Sequence, residues 1–131
     1  MTSKIKYKGN LRTEAFHTDS GNSIITDAPK DNMGLGNAYS PTDLVATGLG
    51  SCMLTVMGIV AQRNNIDMDG TIAEIEKIMY KDPRRIGEIK IKITFNKTLA
   101  ESDRKKLMKA SNNCPVRNSL SPDLKELVEY V

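Results

Sequence analysis

The segment from Ser40 to Asn65, SPTDLVATGLGSCMLTVMGIVAQRNN, constrains the fold more than any other part of the chain. Ser40, Pro41 and Asp43 form a helix start, with an N-cap, a first-turn proline and a capping box. The apolar residues that follow occur on most faces of one long helix, which predicts a central, buried helix. Glycine costs ~1 kcal/mol relative to alanine inside a helix, so the three glycines here indicate a neighbour that packs closely.

The same segment raises the question of a membrane span. Leu44 to Ala61 is 18 residues without a charge, which is at the lower limit for a spanning helix. Only 12 of the 18 are apolar, and Asp43 and Arg63 lie close to the ends, so the buried helix of a soluble protein is favoured. The start of the chain, MTSKIKYKGN, lacks the apolar core of an export signal, which predicts a cytoplasmic protein with no membrane partner.

Length and charge narrow the class of protein further. With 131 residues, the chain is predicted to form one domain, residues 1–131. The net charge of +3 comes from 19 basic and 16 acidic residues that are spread along the sequence. Nucleic-acid binding requires a basic stripe with stacking aromatic residues, and only four tyrosines and two phenylalanines are present. No nucleic-acid partner is therefore expected.

The remaining hydrophobic patterns predict six strands and further helices around the long helix. Alternation predicts strands at 4–8, 11–18, 23–26, 71–80, 86–95 and 125–131, and the spacing of apolar residues predicts a helix at 99–112. The stretch from Asp27 to Tyr39 is a loop by composition. This order of elements indicates an α+β fold, with a sheet wrapped on the central helix.

Two cysteines, Cys52 and Cys114, are the residues with the most distinctive chemistry. Together with the single histidine, His17, they cannot supply the four closely spaced ligands of a zinc site, so no metal is expected. A structural disulfide is disfavoured in a reducing compartment. Two interpretations stay open: a pair of buried core cysteines, or a redox pair.

The local sequence around each cysteine bears on its reactivity. Cys114 precedes Pro115, which predicts that Cys114 is the N-cap of a helix whose dipole lowers the pKa of its thiol. Arg117 either assists that thiol or is solvated. Cys52 lies three turns into its helix, where the dipole no longer helps, so its reactivity requires a nearby cation.

The two cysteine motifs, SPTDLVATGLGSCMLTVM and NNCPVRNSL, resemble those of the OsmC/Ohr family of thiol-dependent hydroperoxide reductases, and the short OsmC-like branch in particular. The resemblance covers nearly the whole chain, including the segment GNLRTEAF with Arg12. It implies an OsmC-like fold, with antiparallel sheets wrapped around a long central helix in an intertwined homodimer. Small residues of that helix, Gly48, Ser51, Thr55 and Gly58, suit the close approach of a second helix; packing inside a monomer is the alternative.

The resemblance also implies roles for individual residues. Cys52 would be the peroxidatic thiol, Cys114 the resolving thiol, and Arg12 the cation that activates Cys52. The substrate would be an organic hydroperoxide or hydrogen peroxide, reduced in oxidative stress defence. An external dithiol reductant would reopen the disulfide between the cysteines, and no cofactor would be needed.

One departure from the family pattern concerns substrate contacts. Family peroxidases carry a glutamate directly after the helix-opening proline, where it braces the arginine, and this chain has Thr42 there. Asp43 follows, but one residue rotates a helix by ~100°, and its capping role already accounts for it. Thr42, Asp43 and Met53 are candidate substrate contacts, although Met53 is more simply core filler. The alternative function is a non-enzymatic dimer that binds a small apolar ligand in its interface pocket.

Overall fold

A computed structural model describes residues 1–131, which divide into two compact units, residues 1–45 and residues 46–131. The strands are β1 (Ser3–Gly9), β2 (Arg12–His17), β3 (Ser23–Asp27), β4 (Ile72–Tyr80), β5 (Arg85–Thr94) and β6 (Lys125–Tyr130). The helices are α1 (Pro41–Arg63), α2 (Glu101–Ser111) and α3 (Pro115–Ser119), with a short 3-10 turn at Lys30–Asn32. The α+β class and the order of elements agree with the prediction from the sequence.

The first unit is built on an antiparallel sheet in the order β1-β2-β3. One row across this sheet consists of Ile5, Ala15 and Ile24, which are cross-strand partners, and Tyr7 follows Ile5 on the same face. Ile5 is 65% exposed, Tyr7 64% and Ile24 50%. The first sheet therefore has a face with exposed apolar side chains.

The start of α1 has the predicted capping box. The Ser40 backbone N–H donates to Asp43 Oδ2 at 2.9 Å, and the Asp43 backbone N–H donates to Ser40 Oγ at 3.1 Å. Two amides at the helix start are thereby satisfied reciprocally, and Pro41 has no amide hydrogen to satisfy. The capping role that the sequence predicts for Asp43 is confirmed.

The second unit contains a sheet in the order β4-β5-β6. β4 and β5 form the predicted antiparallel hairpin, but β6 pairs with β5 in parallel, so the expectation of purely antiparallel sheets is wrong for this strand. The chain passes through α2 and α3 between β5 and β6. A crossover of that length is what allows two neighbouring strands to run in the same direction.

The core of the second unit lies between one face of α1 and the inner face of this sheet. Its fully or almost fully buried residues are Ala46, Leu49, Met53, Met57, Ala61, Ile89, Ile91, Ile93, Leu107 and Cys114. Gly50 allows the helix and β4 to approach closely, because a Cβ atom at this position would lie 2.5 Å from Ile75 Cδ1. One of the three glycines is therefore explained by packing within the chain.

The opposite face of α1 is open in the single chain, although the sequence predicted a helix buried on most faces. Ser51, Thr55 and Ile59 are exposed, and a Cβ atom added at Gly48 or Gly58 would meet nothing within 4 Å. By length and composition alone α1 could cross a membrane, a test that the core helix of a soluble protein also passes. One stripe of α1 packs into the core of the second unit, as the core helix of a protein does.

Candidate thiol site

The two cysteines, far apart in sequence, are neighbours in the second unit. Cys52 projects from α1 and is half-buried, whereas Cys114 is fully buried at the start of α3. Both are free thiols, and Cys52 lies near enough to the Cys114 thiol to help raise its pKa. A partly accessible thiol therefore lies near one that solvent does not reach.

Cys114 is the N-cap of α3, as the sequence predicts. Its Sγ accepts a hydrogen bond from the backbone N–H of Arg117 at 3.5 Å, and Pro115 occupies the first helical position. The expected lowering of its pKa is wrong, however. Burial raises the pKa of Cys114 and the interaction with Cys52 adds to the rise, against a smaller lowering by the amides of Arg117 and Val116. Desolvation outweighs the end of a five-residue helix.

Arg117 has a role that the sequence did not reveal. Its Nη1 donates to Asn112 Oδ1 at 2.8 Å, and its Nε forms an ion pair with Glu126 Oε2 on β6. The Glu126 side chain is only 11% exposed, and burial raises its pKa, with the charge of Arg117 partly offsetting the rise. Glu126 belongs to a predicted strand in which every second residue faces inward. A carboxylate at an inward position was the sequence signal that could have indicated this ion pair.

Arg12, the proposed activating cation, lies in the first unit at the start of β2. Its Nη2 is 3.6 Å from Oδ2 of Asp27, the cross-strand partner of Arg12 and a residue that is 1% exposed. The same Oδ2 accepts the Asn37 backbone N–H at 3.0 Å, while the buried Oδ1 has no hydrogen-bond partner. Asp27, which the sequence assigned to a loop, therefore braces Arg12, a role that the family pattern gives to a glutamate.

The Arg12 side chain borders a pocket of about 660 Å³ in the first unit. Leu11 and Met33 line this pocket with left-handed backbone conformations, φ 61° and φ 69°, which bulky residues seldom adopt. Leu35 also lines it and is 64% exposed. The guanidinium thus lies beside an apolar surface held by an unusual loop backbone.

The remaining candidate residues have structural environments that differ from one another. Thr42 Oγ1 is 3.2 Å from Ser40 Oγ at the helix start, and Asp43 belongs to the capping box. Met53 is fully buried in the core of the second unit, which agrees with the simpler interpretation as core filler and leaves it no open surface for a substrate. His17 forms a 2.7 Å hydrogen bond with Ser20, as expected for a structural histidine.

Comparison with known proteins gives the family. A sequence model described as OsmC-like protein matches residues 34–126. A crystal structure from Psychrobacter arcticus 273-4, described as an osmotic stress induced and detoxification response protein, is 50% identical, with a TM-score of 0.96 over 100% of this chain and 96% of that chain. The chain belongs to the OsmC-like protein family, and no curated protein matches it.

More distant structures share the fold. An organic hydroperoxide resistance protein OsmC from Legionella pneumophila is 18% identical, with a TM-score of 0.77 over 99% of this chain and 96% of that chain. The organic hydroperoxide resistance protein OhrB of Bacillus subtilis is 20% identical, with a TM-score of 0.73 over 100% and 98%. The α+β fold, with two three-stranded sheets and a long helix, is thus that of OsmC/Ohr proteins.

Proposed function

We propose that the protein is a thiol-dependent peroxidase that reduces organic hydroperoxides or hydrogen peroxide in oxidative stress defence. The observation that carries the proposal is the proximity of a half-buried Cys52 to a fully buried Cys114, both free thiols, which is close enough for Cys52 to raise the pKa of Cys114. Two thiols that lie close together can exchange a sulfenic acid for a disulfide without a large movement of the backbone. The hydroperoxide resistance described for the structures from L. pneumophila and B. subtilis supports the same chemistry.

The reaction has three balanced steps. The Cys52 thiolate attacks the distal peroxide oxygen and breaks the O–O bond, giving Cys52 sulfenic acid and an alkoxide that takes a proton to become an alcohol. Cys114 then attacks the Cys52 sulfur, and its proton leaves with the hydroxide as water while the disulfide forms. An external dithiol reopens the disulfide and is itself oxidised. Because Cys114 is fully buried, the dithiol attacks the sulfur of Cys52 and Cys114 is the leaving group.

Arg12 is the proposed activating residue, and Asp27 its support. A guanidinium favours the thiolate form of a neighbouring thiol and polarises a bound peroxide. The buried carboxylate of Asp27 fixes the orientation of Arg12 while 39% of the arginine side chain stays accessible. Asp27 can therefore brace the arginine even though Thr42 occupies the family glutamate position.

The proposal includes a cytoplasmic homodimer. The exposed row of Ile5, Tyr7 and Ile24 and the open small-residue face of α1 are the surfaces that a second copy would cover. A contiguous apolar sheet face exposed to water is characteristic of an interaction surface. Its commonest partner in a symmetric assembly is the same face of another copy.

A thiol count tests the enzyme. Reduced protein mixed with one equivalent of cumene hydroperoxide is expected to lose two free thiols, as measured by alkylation and mass. Cys52→Ser is expected to keep its one thiol, and Cys114→Ser to give a sulfenic acid at Cys52 that dimedone traps. Unchanged thiol counts in the wild-type protein with both cumene hydroperoxide and hydrogen peroxide would contradict the proposal.

A second candidate function is the binding of a small apolar ligand without catalysis. A groove of about 420 Å³ lies between α1 and β4, with Leu54 and Ile75 among its lining residues and neither cysteine in contact with it. In this alternative both cysteines are inert packing residues, which the burial of Cys114 permits. Unchanged thiols together with fluorescence of an apolar probe such as 1-anilinonaphthalene-8-sulfonate, lost in Leu54→Lys, would favour this binder.

A further inference from the structure

The ion pair between Arg117 and Glu126 is partly buried in the second unit, since the Glu126 side chain is 11% exposed and the Arg117 side chain 29%. Along β6 the exposed and half-buried residues alternate, and Glu126 occupies an inward position in the same row as Val128 and Tyr130, which pack against the core. A buried ion pair is often no more stabilising than an apolar pair of similar size, because both charges lose their hydration. The location of this pair therefore suggests a role other than stability.

Arg117 connects three elements at the point where the buried cysteine lies. Its side chain is held from one side by Asn112, just after α2, and from the other by Glu126 on β6. Its backbone N–H donates to the sulfur of Cys114. Arg117 thus holds the α3 segment in place through its side chain and contacts the Cys114 thiol through its backbone.

The helix that carries this contact is too short to hold its own position. α3 has five residues, far fewer than a helix needs to be stable alone, so its placement depends on tertiary contacts. Val116 and Leu120 supply apolar contacts with the core, but these are not directional. The bond to Asn112 adds a directional restraint, because a guanidinium presents its donors in a fixed plane, and the charge of Glu126 attracts the arginine from the other side.

We infer that Arg117 and Glu126 are positioning residues that align Cys114 for attack on the Cys52 sulfur. The inference rests on the proposed function for its biological purpose. Attack on sulfur requires the nucleophile to approach along the bond that breaks, so a small rotation of α3 slows closure of the disulfide while leaving the oxidation of Cys52 unchanged. The pair acts on the second step of the cycle and not on the first.

Two rates measured separately test this inference. Oxidation of Cys52 by cumene hydroperoxide is followed in a Cys114→Ser background by dimedone trapping. Closure of the disulfide is followed in the two-cysteine protein by acid quenching and mass spectrometry. It is measured once with peroxide and once with diamide. Diamide accepts the two hydrogens of the dithiol, so closure with diamide does not depend on peroxidase activity. Glu126→Gln is expected to slow closure at least tenfold with either oxidant and to change Cys52 oxidation by less than twofold.

Two further variants separate positioning from stability. Glu129→Gln removes an exposed carboxylate from the same strand and is expected to leave both rates unchanged. The double variant Arg117→Met, Glu126→Leu replaces the ion pair by an apolar pair, so its melting temperature is expected to equal or exceed that of the wild type while closure stays slow. If closure recovers along with stability in this double variant, the pair is structural only and the inference is wrong.

The outcomes distinguish the inference from the proposed function. If the wild-type protein closes its disulfide with diamide but never with a peroxide, the proposed function is wrong. The effect of Glu126→Gln on the rate of closure with diamide then still tests the inference. A folded Glu126→Gln variant that closes as fast as wild type overturns the inference alone. A wild-type protein that closes with neither oxidant overturns both.

Discussion

The two sheets of the chain have similar strand patterns but different surroundings. In the second unit, the inner residues Ile89, Ile91 and Ile93 are at most 1% exposed, because α1 and α2 contribute to the same core. In the first unit, the corresponding apolar row of Ile5 and Ile24 is at least half exposed. Alternation alone therefore shows which face of a strand is apolar, but not what covers it.

The same division applies to the candidate site residues. The two thiols lie in the second unit, where the chain itself supplies their packing and brings them close enough to interact. Arg12 and Asp27 lie in the first unit, whose sheet has exposed apolar side chains. We conclude that the thiol pair is formed by the chain alone, and we expect the first unit to depend more strongly on an assembly.

The largest effect is expected in the completed core. Leu49→Ala removes a side chain with no exposed surface and is expected to lower the free energy of unfolding by about 3 kcal/mol. Gln62→Ala, on an exposed position of the same helix, is expected to change it by less than about 0.5 kcal/mol. Urea denaturation measures both, and equal effects would contradict the assignment of the core face of α1.

Self-association tests the uncovered sheet. Ile5→Lys places a charge in the exposed apolar row and is expected to raise the dimer dissociation constant at least 100-fold, equivalent to about 2.7 kcal/mol. Leu127→Lys, on the outer face of the second sheet, is the matched control, because Leu127 is also half exposed but lies among charged residues. Analytical ultracentrifugation measures the dimer dissociation constant of each variant. A wild-type protein that stays monomeric at 100-fold higher concentration would contradict the proposed dimer.

The proposed activation by Arg12 predicts a smaller effect. Arg12→Ala is expected to slow alkylation of Cys52 by iodoacetamide at pH 7 at least tenfold, in a Cys114→Ser background, because fewer thiols are ionised without the guanidinium. Lys8→Ala removes another cation of the first unit, one that pairs with Glu14, and should leave the rate unchanged. Identical alkylation rates in Arg12→Ala and wild type would show that another group activates Cys52.

The smallest effect is a pH dependence that arises from Cys114. The pKa of Cys114 is raised in the folded protein. At a pH above the ordinary pKa of a thiol, the unfolded chain has therefore lost a proton that the folded chain still holds. The free energy of unfolding then falls as the pH rises, by at most about 1.4 kcal/mol per pH unit. The stability difference between wild type and Cys114→Ser is expected to shrink accordingly between pH 8 and 10. A difference that grows over this range would contradict the raised pKa.

Much of this architecture could be predicted from the sequence because the signals are local. The capping box at Ser40, the N-cap at Cys114 and the β4–β5 hairpin each depend on a few neighbouring residues. The resemblance of the two cysteine motifs added the expectation that Cys52 and Cys114 lie close together. Hydrophobic periodicity then located the strands to within a few residues.

What the sequence did not reveal depends on contacts between distant elements. The parallel direction of β6 follows from the path through α2 and α3, which periodicity does not encode. Glu126 looks like an ordinary charged residue until the strand is seen to turn it towards Arg117. The direction of the pKa shift at Cys114 was mispredicted because the dipole of α3 is a local signal, whereas the burial that outweighs it is a tertiary one.

The central claim is that peroxide converts this particular pair of sulfurs into one disulfide. Trypsin cleavage after Lys30, Arg63, Lys109 and Arg117 separates the two cysteines into the peptides 31–63 and 110–117. After one equivalent of hydroperoxide, mass spectrometry without reduction is expected to find these peptides joined, two hydrogen masses below their sum, in the monomer band of a non-reducing gel. Separate peptides, with Cys52 over-oxidised and Cys114 still a thiol, would contradict the claim.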